Sequence, residues 1–508
     1  MASSTTSMAF PFLRRPSSNT NKALRSSIGL ATSMTSTATK SPVVLIHGVF
    51  GYGRARPLWN SWSPYWPEEA LREMNSNHLM VDVGALSSDH DRACEAFYQL
   101  YGGRVDYGEQ HSRDARHDRF GATFETPLHP TWSASSPLHL VGHSFGGTTA
   151  LELYQLICAD FFGVGSDYRW VVSLVSIAGP LTGSTVTHLF GLHELHMVPY
   201  SLGHFIGAVL GVWFKLHTDW PVVRQVFDFK MPQWKGVSTF RELLSPHGRI
   251  NGSTDLAVFN ILPRERMKRN ARLVHMDKIF LISVATSSHV KMPLAEVALS
   301  ALSAILAIAA VVGISSGQIV LATLSMLAWV ASLPILRTCI RTLDYASIPS
   351  LYALLLIMRR HVRTLHTIFD GFDREQWGEN DGAVNLHSML QPWASVIDTK
   401  ISRVSAESDT ESTASTASSL STAAELASTE VTALYEEDLD YDIDPTIAAN
   451  FSKLRRGNWY VHRVEKNHMA GTHFDSDSPA LFQRLFRVMV NRFESKRDLQ
   501  APTSTLSP

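Results

Sequence analysis

The chain has 508 residues, with 45 Lys plus Arg against 46 Asp plus Glu and a formal net charge of -1. So even a balance exerts no global pull on nucleic acid, and no nucleic-acid partner is expected. The length exceeds one average domain, although α/β enzymes can run past about 250 residues as one. Only three cysteines occur, and Cys94, Cys158 and Cys339 lie too far apart for a CxxC pair, which argues against a disulfide framework or a thiolate metal site.

Residues 1–40 contain no Asp or Glu, are rich in Ser and Thr, and carry scattered Arg14, Arg15, Lys22, Arg25 and Lys40 without an apolar run of secretory type. That composition suits an organellar transit peptide, chloroplast or mitochondrial, with a disordered tail as the alternative. The folded part begins near Pro42, and residues 41–290 read as the first part of the core. Val43-Val44-Leu45-Ile46 is a β-branched run ending in His47-Gly48, the pattern of a buried parallel strand. Further strands are predicted over Trp170 to Ile177, Ile279 to Ala285 and Trp459 to Val464, and helices over Gly147 to Phe162 and Pro479 to Glu494. Alternating strands and helices predict an α/β fold with a mainly parallel sheet and helices on both faces.

Two insertions interrupt this pattern. Val297 to Leu336 carries no charge and is broken near Ser315-Ser316-Gly317-Gln318, enough for two apolar spans of about 20 residues joined by a turn. Residues 291–360 are therefore expected to form a membrane-type helical hairpin. Lys291, Arg337 and Arg341 would lie on one side, with the globular part facing the cytosol or an organelle stroma. A pair of buried helices or a large apolar lid is the alternative. Residues 361–400 return to the core. Residues 401–445, Ser/Thr-rich from Ser402 to Thr432 and then acidic from Glu436 to Asp444, cannot bury enough apolar surface to fold alone. Residues 446–496 complete the core and 497–508 form a tail.

The chemistry centres on Gly142-His143-Ser144-Phe145-Gly146, between the apolar run Leu138-His139-Leu140-Val141 and a helical segment. A strand, a tight turn with Ser at its apex and a helix make a nucleophile elbow, and the glycines allow the close packing that such a turn requires. A serine hydroxyl needs a base to take its proton, and the base needs a carboxylate to orient it. In chain order the acid follows the nucleophile and the histidine follows the acid. Asp381, in the polar turn Glu379-Asn380-Asp381-Gly382-Ala383-Val384-Asn385, is the candidate acid. His387, His462, His468 and His473 follow it; His468 sits in the loop after a predicted strand, His462 falls within that strand, and His473 competes on order alone. The oxyanion donors would be the backbone amides of Phe145, after the nucleophile, and Val49, in the His47-Gly48-Val49-Phe50-Gly51 loop.

With these residues in place, the chain resembles the zinc-containing thermoalkalophilic lipases of Gram-positive bacteria, members of the α/β-hydrolase superfamily. The resemblance runs through Leu86-Ser87-Ser88-Asp89-His90-Asp91-Arg92-Ala93-Cys94-Glu95-Ala96-Phe97, Gly102 to Gly108, Arg119-Phe120-Gly121, Val226 to Lys230, Gln233-Trp234, Ser253-Thr254-Asp255 and Asn380 to Asn385. It implies a triad of Ser144, Asp381 and His468, and a structural zinc held by Asp91, His111, His117 and Asp255. Two imidazoles and two carboxylates close a tetrahedral shell and leave no open position for hydrolytic chemistry. The family's calcium site uses an acidic residue two positions after the catalytic histidine. Here that residue is Ala470, which puts calcium in question although Asp475 is retained. Phe145 also departs from the family's Gln.

Between Thr185 and Trp220 apolar residues recur at helical spacing (Leu202, Phe205, Ile206, Val209, Leu210, Trp213), and the resemblance implies a lid there. The expected protein is thus a membrane-associated serine lipase acting on acylglycerols or membrane glycerolipids, with no protein partner identified. The rival expectations are a short-chain esterase or acyltransferase using the same acyl-enzyme, and a non-catalytic membrane scaffold on a hydrolase fold.

Overall fold

The computed structural model describes residues 37–193, 196–234, 253–288, 318–342, 349–369, 371–394, 432–434 and 454–494, with isolated helical positions between 302 and 309. The chain divides between Ser36 and Thr37, and the second unit carries all the described elements. The expectations for residues 1–36, 402–431, 436–444 and 497–508 lie outside the described residues, as does most of 297–317.

Strand β1 (Val43–Ile46) is followed by β2 (His78–Val81), helix α1 (Asp89–Tyr101), strand β3 (Gly103–Asp106), helix α2 (Glu109–Ala115) and strand β4 (Phe120–Phe124). Strand β5 (Leu138–His143) leads into α3 (Phe145–Cys158), then β6 (Val171–Ile177), α4 (Leu202–Asp219), β7 (Phe280–Thr286), α5 (Ile319–Thr342) and α6 (Pro349–Thr364). Strands β8 (Thr432–Leu434) and β9 (Trp459–Val464) and helix α7 (Ser478–Val488) complete the order. Among the described residues the central sheet has seven strands in the order β8-β9-β7-β6-β5-β1-β2, and every pairing in it is parallel.

The side-chain alternation of the strands explains the two-faced core. Val44 and Ile46 of β1, Leu138 and Leu140 of β5 and Leu281 of β7 join one apolar cluster, with Phe97 of α1 and Leu151, Leu153 and Tyr154 of α3. Val43, Leu45, Val141, Phe280, Ile282 and Val284 point to the other face, against Leu481, Phe482, Leu485 and Phe486 of α7. Both faces are covered, which is why these strands read as continuous apolar runs rather than as alternating ones. The chain builds the sheet outward in one direction from β1 to β2 and in the other from β5 to β6. The carboxyl ends of the adjacent β1 and β5 therefore form the topological switch point, where an open parallel sheet binds its ligands.

The predicted strands are found with shifts of one residue: Trp170 lies in a 3-10 turn ahead of β6, and β7 extends to Thr286. Helix α3 starts at Phe145, two residues before the predicted start, because Ser144 itself occupies the cap position. The C-terminal helix changes to a π-turn over Met489–Glu494. Its last residue, Glu494, accepts from Lys40 N at 3.0 Å and Ser41 N at 2.8 Å, pinning the entry to β1. Cys94 and Cys158 are free thiols.

Helix α4 covers the second half of the Thr185-to-Trp220 segment expected as a lid. Its N-terminal Leu202 and Phe205 are exposed, whereas Trp213 packs against a cluster of Ala85, Phe229, Met231 and Trp234. Among the described residues no helix is long and apolar enough to cross a membrane. The membrane-associated localisation, with the globular part facing the cytosol or stroma, is therefore not supported, and the two-span hairpin is not seen among the described residues.

Candidate active site

Ser144 sits at the sharp corner between β5 and α3 with φ 55 and ψ -129, a conformation that non-glycine residues adopt only under strain. Two neighbours make the corner possible. A Cβ on Gly142 would lie 2.1 Å from the Gly146 carbonyl oxygen, and one on Gly146 would lie 2.0 Å from the Ile46 carbonyl oxygen. Only hydrogen atoms fit where α3 crosses β1 and β5.

The structure brings Ser144, His468 and Asp381 into one hydrogen-bonded line. His468 Nε2 is 2.8 Å from Ser144 Oγ, and His468 Nδ1 is 2.8 Å from Asp381 Oδ2. Asp381 is fully buried and each of its oxygens is occupied. Oδ1 accepts from Ala383 N at 3.0 Å and Val384 N at 2.8 Å, while Oδ2 also accepts from Thr286 Oγ1 at 2.6 Å. Donors on all sides leave the carboxylate only accepting, which directs the Nδ1 hydrogen of His468 toward it and leaves Nε2 facing the serine hydroxyl. The His468 amide donates to the Asp381 carbonyl at 3.0 Å, so backbone as well as side chain ties the two loops.

The other histidines lie elsewhere. His462 is buried within β9, paired in register with Val284 of β7 and Leu434 of β8. His473 is exposed, and His387 stacks on Trp393 with ring centroids 5.3 Å apart.

In the loop after β1, Gly48 N donates to Tyr65 Oη and Phe50 N to the Ala85 carbonyl, which leaves Val49 N as the amide of that turn without an acceptor among the described residues. Phe145 N is at the first position of α3, where backbone N–H groups have no intrahelical partner. Arg92, fully buried, links the loop after β1 to the start of α3. Its guanidinium donates to the His47 carbonyl, to the Gly84 carbonyl at 2.9 Å and to Thr149 Oγ1 at 3.0 Å, and it lies 5.0 Å from the centre of the Phe145 ring. Sequence reasoning missed Thr286, Arg92 and Tyr65. Thr286 ends a strand beside the acid loop and could have been sought there, whereas nothing in the chain flags Tyr65.

Asp91, His111, His117 and Asp255 form a second cluster, with one donor atom from each lying within 4.8 Å of the others. His111 Nε2 is 3.0 Å from Asp91 Oδ1 and 3.3 Å from Asp255 Oδ1, and His117 Nε2 is 3.5 Å from Asp91 Oδ2 and 3.2 Å from Asp255 Oδ2. His117 Nε2 and Asp255 Oδ2 are buried and close, yet too poorly aligned to hydrogen-bond. His111 Nε2 and Asp91 Oδ1 are hydrogen-bonded, and the remaining lone pairs converge in a way that suits a cation at their centre. His117 Nδ1 donates to the Asp118 carbonyl at 2.9 Å, the outer hydrogen bond typical of a ligating imidazole. Without a cation both rings bind protons instead. Burial alone would lower their pKa values, but the attraction of both rings to the Asp255 and Asp91 carboxylates outweighs it and raises His111 to about 9 and His117 to about 10. The four residues are thus a possible metal-binding group.

At the place where the resemblance implies calcium, Ala470 is buried and Asp475 already has a cation. Lys466 Nζ lies 3.1 Å from Asp475 Oδ1 and 2.5 Å from Asp477 Oδ2. The donor set there does not fit calcium, because an ammonium occupies the carboxylates.

Residues 39–161 match a family profile described as "Lipase-like, C-terminal domain". The chain is 32% identical over 191 residues to Lipase 2 of Staphylococcus aureus strain MRSA252, an alignment covering 33% of this chain and 27% of that protein. It is 34% identical over 167 residues to the lipase of Staphylococcus hyicus, covering 28% of this chain and 26% of that one. The chain therefore spans about a quarter of the length of these relatives. Among solved structures it is similar to EstA from Clostridium botulinum, with TM-score 0.55 and 18% identity over 95% of this chain and 92% of that one. It is similar also to the S. hyicus lipase, with TM-score 0.55 and 17% identity over 92% of this chain and 100% of that one. The fold is the α/β-hydrolase fold. Sequence similarity lies with lipases of Gram-positive bacteria.

Proposed function

We propose that the chain is a serine lipase that hydrolyses carboxylic esters of acylglycerols or membrane glycerolipids through an acyl-enzyme. The observation that carries this reading is the line Ser144–His468–Asp381, with 2.8 Å at each side-chain step and the serine on a strained elbow. Ser144 Oγ attacks the ester carbonyl as its proton passes to His468 Nε2, while Asp381 stabilises the resulting imidazolium through Nδ1. The amides of Val49 and Phe145 receive the developing oxyanion. The departing alcohol takes the proton from His468. Water then enters, gives a proton to the same Nε2 and attacks the acyl carbon; His468 passes that proton to Ser144 Oγ as the acyl–Oγ bond breaks, which releases the carboxylic acid and restores the serine. The similarity to named lipases supports a lipid ester as substrate.

Asp91, His111, His117 and Asp255 would hold zinc. Bound there, the metal supplies structural bracing, because four protein ligands leave no open position for substrate or water. Asp91 opens α1, His111 is on α2, and His117 and Asp255 lie in loops, so the cluster pins the β3–β4 hairpin region to the core.

The test is a lipid-class hydrolysis panel comparing wild type with Ser144→Ala and His468→Ala. Both variants should lose hydrolysis of every lipid ester that wild type cleaves. Hydrolysis surviving both changes contradicts the mechanism.

A further inference from the structure

Between the oxyanion loop and the catalytic histidine runs a buried chain of hydrogen bonds that the reaction scheme does not use. Gly48 N donates to Tyr65 Oη at 3.0 Å, Tyr65 Oη is 2.6 Å from His143 Nδ1, and His143 Nε2 is 2.8 Å from the His468 carbonyl oxygen. Tyr65 and His143 are both buried, and their rings pack edge to face.

Only one arrangement of protons satisfies every group. The His468 carbonyl can only accept, so His143 Nε2 carries a hydrogen. Burial and the neighbouring His468 push the His143 pKa down to about 3, so the ring is neutral and Nδ1 keeps a lone pair. Tyr65 must then give its single hydrogen to Nδ1, and its oxygen accepts from the Gly48 amide. The polarity runs one way, from the oxyanion loop to the backbone of the base. Tyr65 holds the same region a second time, because its carbonyl accepts from His473 N at 2.8 Å, in the loop that carries His468.

We infer that Tyr65 and His143 act as positioning residues, a proton-ordered strut that sets the oxyanion loop at a fixed distance from His468. The inference rests on the serine hydrolase reading above. Gly48 immediately precedes Val49, whose amide is the proposed donor, and the anchored His468 carbonyl belongs to the residue whose ring is the base. Neither Tyr65 nor His143 is a partner of Ser144 Oγ. A loop displaced by even 1 Å degrades the alignment of nucleophile, base and oxyanion donors, an error that costs on the order of a hundredfold in rate.

The test uses the full chain and p-nitrophenyl butyrate, with melting temperature measured alongside. Tyr65→Phe deletes one oxygen, strands the Gly48 amide and leaves His143 Nδ1 without its donor, so the link from the oxyanion loop to His143 is cut. Its kcat should fall on the order of tenfold to a hundredfold, with KM within about twofold because the strut touches no substrate. His143→Ala should fall at least as far. His143→Gln should recover most of that loss, since a carboxamide can donate to His468 and accept from Tyr65. In the double variant Tyr65→Phe/His143→Ala, kcat should match that of His143→Ala, because one chain can be broken only once. The inference is overturned by a Tyr65→Phe kcat within about twofold of wild type, by a loss carried in KM, by losses that multiply in the double variant, or by a Gln variant no better than Ala. Ser144→Ala in the same assay separates the two readings. Activity that survives it removes the hydrolase mechanism itself, whereas activity abolished by it but undiminished in Tyr65→Phe removes the strut alone.

Discussion

Two of the regions where histidine meets aspartate, the one at Ser144 and the one at Asp91, do so at similar distances and to opposite effect. At Ser144 one imidazole lies between one carboxylate and one hydroxyl, and Asp381 accepts from His468, Thr286 and two backbone amides. At Asp91 two imidazoles face two carboxylates, with His117 Nε2 and Asp255 Oδ2 buried and unaligned. The first arrangement leaves a single nitrogen with a proton to gain. The second asks for a positive charge at its centre, whether two protons or one metal ion. The number of donors around each carboxylate, more than the presence of a His–Asp pair, separates a site poised to move a proton from one built to hold a cation.

The sharpest break between the regions comes from Ser144→Ala or His468→Ala. Each should lower kcat by more than about 10⁴-fold while leaving bound metal, measured by elemental analysis, unchanged. Asp381→Asn should keep the geometry but favour the wrong His468 tautomer, with a kcat loss of about 10⁴-fold. Thr286→Val removes one of the donors to Asp381 and should cost on the order of tenfold, read from the same ester assay. On the other side, His117→Ala should lose the metal and lower the melting temperature. Its kcat per folded molecule should stay within about threefold of wild type, because no catalytic step passes through the cluster. Metal content equal to wild type in that variant would remove His117 from the ligand set.

A smaller effect sharpens the contrast through pH. In the metal-free protein His111 and His117 have pKa values raised from 6.5 to about 9 and about 10. Their protonation therefore stabilises the fold fully below the unfolded value of 6.5, and that contribution is lost as pH rises through the raised values. A metal needs the neutral rings. Its affinity should climb over the same window, and binding at pH 7 should release about two protons, measurable by calorimetry in buffers of different ionisation enthalpy.

The legible and illegible parts of the sequence divide along the same physical lines. The elbow could be read because Gly142 and Gly146 are forced by backbone contact, and a forced residue leaves a local pattern. The buried strands could be read because both faces of the sheet are covered, so β1 and β6 are apolar without interruption. Among the histidines after Asp381, chain order alone did not separate His468 from His473, since the difference is one of spatial reach. Tyr65 had no local signal at all: it works through its hydroxyl on His143, a partner 78 positions away in the chain. The Val297-to-Leu336 run had a strong hydropathy signal that spoke of composition alone, and no membrane-crossing helix is found among the described residues.

The central claim is that Ser144 is a nucleophile activated by His468, and covalent trapping tests it most directly. Wild-type protein treated with a p-nitrophenyl alkylphosphonate should release one equivalent of p-nitrophenol and carry the phosphonyl group on Ser144, located by peptide mass spectrometry. His468→Ala should remain unlabelled on the same timescale. A label on another residue, or ester hydrolysis that continues after Ser144 is fully blocked, would contradict the account.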